Sequence, residues 1–136
     1  MDVVPPSPAE RADPVDSLRP VAAAAPGLKL LLLHGSRARG DEHPGSDWDL
    51  GYLADPTFDA PMLHGVLARL LGTDDVDLVD LARASALLRY RAARDGCVVH
   101  DAGGAYETFW LEAVDFWCDA GPLIRAGYED TLARLP

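Results

Sequence analysis

The 136-residue chain sets 22 Asp and Glu against 12 Lys and Arg, a formal net charge of −10, with 49% hydrophobic and 25% charged residues. That is a globular composition, long enough for one domain with a real core and too short for two. The acid excess disfavours a sequence-independent grip on phosphate backbones, the longest apolar runs (21–25 and 30–33) fall far below the roughly 18 residues that span a bilayer, and no signal-peptide pattern opens the sequence. The expectation is a cytoplasmic protein with no membrane association and no stable nucleic-acid binding.

Residues 1–25 open with Pro5, Pro6, Pro8, Pro14 and Pro20, which read as a loose proline-rich arm with room for one short helix from Val15 into Ala25. Pro26-Gly27 punctuates, and the apolar run 28–33 predicts a strand covered on both faces. Ser36 then offers an N-cap for a short helix that Gly40 ends. After the Pro44-Gly45 turn, residues 47–53 alternate as a second strand, with Asp47, Asp49 and Gly51 on one face and Trp48, Leu50 and Tyr52 on the other.

Helical spacing of Leu63, Val66, Leu67, Leu70 and Leu71 follows, with Asp59 as cap, Pro61 in the first turn and Gly72 at the end. A third strand covers 76–81, Ser85 caps a helix that stops near Gly96, and residues 97–100 form a short fourth strand. From Ala105 the chain predicts a helix with Tyr106, Phe109, Trp110, Ala113, Val114 and Trp117 as its apolar stripe. Gly121-Pro122 breaks it, and a last helix is expected over 123–135. The pattern is an α/β (α+β) domain of about four strands, divided as an arm (1–25), a core (26–103) and a helical C-terminal segment (104–136). Cys97 and Cys118 are too far apart for a CxxC pair and, beside apolar neighbours, read as buried free thiols.

Three features converge on chemistry. A buried strand delivers the chain into Gly35-Ser36, where glycine permits close approach of an anion and the start of a helix presents free N–H groups, although alone the pair is as ordinary as a capped turn. Asp47 and Asp49, two apart on a strand, send both carboxylates from one face with Cα atoms roughly 7 Å apart. Such a pair repels unless a cation lies between, and carboxylates with open positions suit Mg²⁺. Asp77 and Asp80 lie on opposite faces of the third strand, so at most one joins that pair. Asp77, central among apolar residues, is the choice, while Asp80 caps the following turn. Arg37 and Arg39 flank the Gly-Ser turn and are candidates for phosphate, with a solvated helix surface as the plain alternative.

Gly35-Ser36, ten intervening residues, then Asp47-x-Asp49, together with Gly-Ser-Arg-Ala-Arg-Gly-Asp and the later Val-Asp-Leu-Val-Asp-Leu, resembles the polymerase-beta-type nucleotidyltransferases. Within them it is most similar to the minimal nucleotidyltransferase antitoxins paired with HEPN toxins. The resemblance covers about residues 28–103. It implies that Gly35 and Ser36 hold the triphosphate of ATP, that Asp47 and Asp49 bind Mg²⁺, and that Asp77 is the third carboxylate of a two-metal site and the base toward the attacking hydroxyl. It also implies transfer of AMP to a tyrosine of a HEPN ribonuclease toxin encoded by a neighbouring gene. Two other functions fit the sequence: a small-molecule, aminoglycoside-type nucleotidyltransferase, and a non-catalytic module that masks the toxin. Trp48, where the family usually has a smaller aliphatic residue, suggests a roomier pocket behind the strand, and His34 reads as a hydrogen-bonded structural residue.

Overall fold

The computed structural model describes residues 14–119 and, beyond them, 126, 127, 129, 130 and 133. In chain order the elements are α1 (Pro14–Ala23), β1 (Leu28–His34), α2 (Ser36–Arg39), β2 (Trp48–Ala54), α3 (Ala60–Leu71), β3 (Val76–Asp80), α4 (Ala86–Asp95), β4 (Cys97–Asp101) and α5 (Ala105–Asp119). One mixed sheet of order β3-β2-β1-β4 results, antiparallel at β1/β2 and β1/β4 and parallel at β2/β3, where α3 makes the crossover.

β1 is central, and its unbroken leucine run serves both sides of the sheet. Leu31 and Leu33 join Leu50, Trp48 and Val76 against Leu18 and Ala22 of α1 and Leu63 and Leu67 of α3. Leu30 and Leu32 pack on the opposite side against Ala92 and Ala93 of α4 and Phe109 and Ala113 of α5. This three-layer arrangement explains why β1 shows no alternation in its sequence while β2 does.

Local signals fix the helix ends. The Asp59 carboxylate accepts a hydrogen bond from the Met62 N–H at 3.1 Å, and Gly72 closes α3 in the left-handed region at φ 69°. The Ser85 hydroxyl caps α4 by accepting from Leu88 N–H at 3.2 Å. Asp80 turns the chain after β3, its Oδ1 accepting from Ala82 N–H at 3.0 Å. On α5, Phe109, Ala113 and Trp117 are buried at four-residue spacing, whereas Trp110 is exposed.

Several expectations change. The short helix expected from Val15 is present over Pro14–Ala23, but its Leu18 and Ala22 are fully buried, so this stretch is part of the core and not of a loose arm. Pro20 sits within α1, only six residues after its start. Both cysteines are free but exposed, Cys97 on the edge strand and Cys118 near the end of α5. The expected break at Gly121-Pro122 lies outside the described residues. So do the expected last helix over 123–135, apart from 126, 127, 129, 130 and 133, and residues 1–13.

Leu18→Ala should lower the unfolding free energy by about 2–5 kcal/mol, the usual cost of emptying a buried leucine site. Urea unfolding measures it, and a change within about 0.5 kcal/mol, ordinary for a surface position, would place α1 outside the core.

Candidate active site

Pairing across the sheet assembles the site. His34, the last residue of β1, stands opposite Asp49 on β2, and Asp49 stands beside Asp77 on β3. Directly paired residues share a face, so the three side chains form a row across three adjacent strands, on the side covered by α4 and α5. A cleft of about 230 Å³ opens above the row, its other walls being Gly35, Arg39 and Val79, with Leu88, Arg91 and Asp95 of α4. Gly51, two residues along β2 on the same face, leaves room for Leu81, whose side chain would meet any Cβ there at 2.7–3.0 Å.

Gly35 is where backbone and carboxylate meet. Its φ of 73° and ψ of −157° belong to a region that disfavours other residues, and a Cβ would overlap the Asp49 carboxylate, lying 3.1 Å from Cγ. Gly35, not Ser36, is the cap residue of α2, because the turn begins one residue earlier than the serine signal predicts. No side chain caps the helix. The Gly35 carbonyl accepts from the N–H groups of Ala38 and Arg39, both at 3.2 Å, and Gly40 ends the turn at φ 81°.

The two arginines separate. Arg37 donates from Nε and Nη2 to the Ser46 carbonyl at 3.2 and 2.8 Å, and its guanidinium lies 4.0 Å above the Trp48 ring. Trp48 faces the α1/α3 side of the sheet, away from Asp49. Arg37 therefore clasps α2 to the start of β2 rather than reaching the cleft, and Trp48 is the platform for that clasp instead of the wall of a roomier pocket. Arg39 does line the cleft, its Nε 3.3 Å from Asp41 Oδ2. Asp47 is exposed in the loop just before β2, which starts one residue later than the predicted strand, and is not among the cleft-lining residues.

Electrostatics single out Asp49. Burial raises its carboxyl above the usual aspartate range, and repulsion from Asp77 and then Asp47 adds to this, against a smaller opposing pull from Arg39. His34 is 8% exposed and its Nε2 has no hydrogen-bond partner among the described residues, which corrects the reading of a satisfied structural histidine. Burial holds its imidazole below the ordinary histidine range although Asp77 pulls the other way. Asp95 is chelated by Arg94, whose Nε and Nη2 each donate at 2.9 Å, and its carboxyl is lowered accordingly.

No three His, Cys, Asp or Glu side chains among the described residues are close enough together to enclose a metal ion. Mg²⁺ seldom needs such a cage, since it takes one or two carboxylates and completes its shell with water and substrate phosphates. Asp49 and Asp77, hard oxygen donors on neighbouring strands whose repulsion raises the Asp49 carboxyl against a smaller pull from Arg39, fit a divalent cation in that manner. The sequence pattern singled out Gly35, Arg39, Asp49 and Asp77, which the fold brings together along the cleft. It missed the α4 wall, although Leu88, Arg91 and Asp95 do follow a helical i, i+3, i+7 stripe.

A glycine turn beside cross-strand carboxylates on a mixed sheet is an α/β site of the class suited to a polyphosphate and its cation. The family described as "Polymerase beta, Nucleotidyltransferase" matches residues 17–102, and the chain belongs to it. The chain is 39% identical over 112 residues to protein adenylyltransferase MntA of Shewanella oneidensis, covering 80% of each protein. It is 33% identical over 91 residues to MntA of Aphanizomenon flos-aquae, covering 58% of this chain and 61% of that relative's length. Among solved structures, a toxin–antitoxin with AMP-PNP superposes with TM-score 0.67 at 28% identity, over 90% of this chain and 98% of that one. An MNT antitoxin in complex with the tri-AMPylated HEPN toxin of Shewanella oneidensis superposes with TM-score 0.63 at 25% identity, over 88% and 96%.

The raised Asp49 carboxyl has a stability consequence. A carboxyl whose folded pKa lies above its unfolded value of about 3.8 penalises the folded state as pH rises through that interval, and the full penalty stands at neutral pH. Asp49→Asn should therefore raise the thermal midpoint at pH 7 in metal-free buffer, with the gain shrinking as pH falls toward 4. An unchanged or lower midpoint at pH 7 would contradict the assigned repulsion.

Proposed function

We propose that this protein is an antitoxin that transfers AMP from ATP to a tyrosine hydroxyl of a cognate HEPN ribonuclease toxin in the cytoplasm and so neutralises it. The observation that carries the reading is the Asp49–Asp77 pair on adjacent strands beside the Gly35 turn, in a chain 39% identical to a protein adenylyltransferase. The similarity to an MNT antitoxin in complex with a tri-AMPylated HEPN toxin supports the choice of acceptor.

In this reading Asp49 and Asp77, with Asp47 within electrostatic reach of Asp49, would hold Mg²⁺, which would screen the charge gathered at the α-phosphate and the leaving oxygen. Gly35 lets the polyphosphate come close to the main chain, and Ser36 adds a hydroxyl donor. Arg39 neutralises phosphate charge from the cleft wall. The tyrosine oxygen attacks the α-phosphorus, the bond to the β-phosphate bridging oxygen breaks, and pyrophosphate leaves. Asp77, the exposed carboxylate of the pair, accepts the tyrosine proton. Arg37, committed to Ser46 and Trp48, has only a structural part in this scheme.

Incubation with Mg²⁺, α-labelled ATP and the toxin should place label on the toxin, and intact mass should show added adenylyl units. Asp49→Asn and Asp77→Asn should each reduce transfer by about a hundredfold or more, as expected where a group acts in the transition state. Absence of transfer by the wild-type protein, with toxin neutralisation surviving both substitutions, would replace this reading by simple masking.

A further inference from the structure

Resting on the transfer reading above, we infer that Arg91 of α4 is a nucleotide-binding residue that grips the β- and γ-phosphates, the part of ATP that departs as pyrophosphate. Three observations carry it. Arg91 lines the same cleft as Asp49, Asp77 and Arg39, and does so from α4. Apart from Arg69, far away on α3, it is the one described arginine with no ion pair, hydrogen bond or ring contact to the protein. Arg19, Arg37, Arg39, Arg83, Arg89 and Arg94 all have one. A guanidinium on a cleft wall with its fork unused is suited to an incoming phosphate.

The third observation is the order of charges along the cleft. Asp77, Asp47 and Arg39 act on Asp49, whereas Arg94, Arg39 and Arg91 act on Asp95. Arg39 is thus within electrostatic reach of both Asp49 and Asp95, and with Asp95 paired to Arg94, Arg91 is the positive charge on the α4 wall left for a ligand. A triphosphate whose α-phosphorus lies at Asp49 and Asp77 extends past Arg39 toward Arg91. The volume agrees, because about 230 Å³ is below the roughly 300 Å³ at which pockets begin to hold a whole small molecule. The cleft takes the phosphates, and the nucleoside lies outside it.

The test compares two ligands on the full-length protein with Mg²⁺, by calorimetric titration: β,γ-imido-ATP, which has all three phosphates, and AMP, which has one. Arg91→Ala should weaken the ATP analogue about tenfold, in line with loss of a charged hydrogen bond at a part-exposed site, while AMP affinity stays within about twofold. Arg91→Lys should recover part of the loss, since it restores charge without the fork. Arg69→Ala should match wild type. Unchanged thermal midpoints would confirm that the exposed Arg91 position is not needed for folding. Equal losses for AMP and the analogue, unchanged analogue binding, or weakened toxin binding with intact analogue binding would each overturn the assignment. If wild type binds neither ligand, the transfer reading itself fails, an outcome distinct from any difference between the variants.

Discussion

Two carboxylates held side by side on neighbouring strands repel one another, and the fold spends its most specific geometry on keeping them there. Asp49 and Asp77 are fixed in register by the parallel β2/β3 pairing, and Asp49 is pressed against Gly35 so closely that a Cβ on Gly35 would overlap it. Burial raises the Asp49 carboxyl further. An arrangement of this kind lowers stability unless something positive arrives, which is the usual signature of a site built for binding rather than for folding.

The remainder of the molecule holds that row in place. β1 sits at the centre of the sheet with leucines buried on both sides, so the strand that ends at His34 and Gly35 cannot shift without disturbing two cores at once. α1 and α3 support one side, and α4 and α5 the other, with α4 doubling as the wall of the cleft. Arg37, stacked on Trp48 and bonded to Ser46, ties α2 to β2 from the far side of the sheet. The glycine turn and the Asp49 strand are thereby locked together from both faces.

Much of this was legible in the sequence because it depends on local signals. Caps at Asp59 and Ser85, the left-handed Gly72 and the alternation of β2 are short-range features, and they placed the elements to within a residue or two. The choice of Asp77 over Asp80 followed from opposite faces of one strand, and Asp80 does bond the turn that follows. What stayed hidden depends on elements distant in the chain. The Arg37–Trp48 stack joins a helix to a strand across a loop, Arg91 lines the cleft only because α4 packs over β1, and Leu18 is core only because α3 and β4 meet α1. Asp47, expected on the strand, lies one residue before it because the loop ahead of β2 is one residue longer than the alternation suggests. The cysteines were misread because apolar neighbours do not imply burial on an edge strand or near a helix end.

The central claim is that the Asp49 and Asp77 carboxylates act together, on one face, toward a divalent cation. Mn²⁺ binding, followed by electron paramagnetic resonance in the presence of β,γ-imido-ATP, tests it most directly. The account predicts that Asp49→Asn and Asp77→Asn each weaken Mn²⁺ by about tenfold or more, whereas Asp80→Asn, on the same strand as Asp77 but facing the other way, leaves it unchanged. Wild-type Mn²⁺ affinity in Asp77→Asn, or an equal loss in Asp80→Asn, would contradict it.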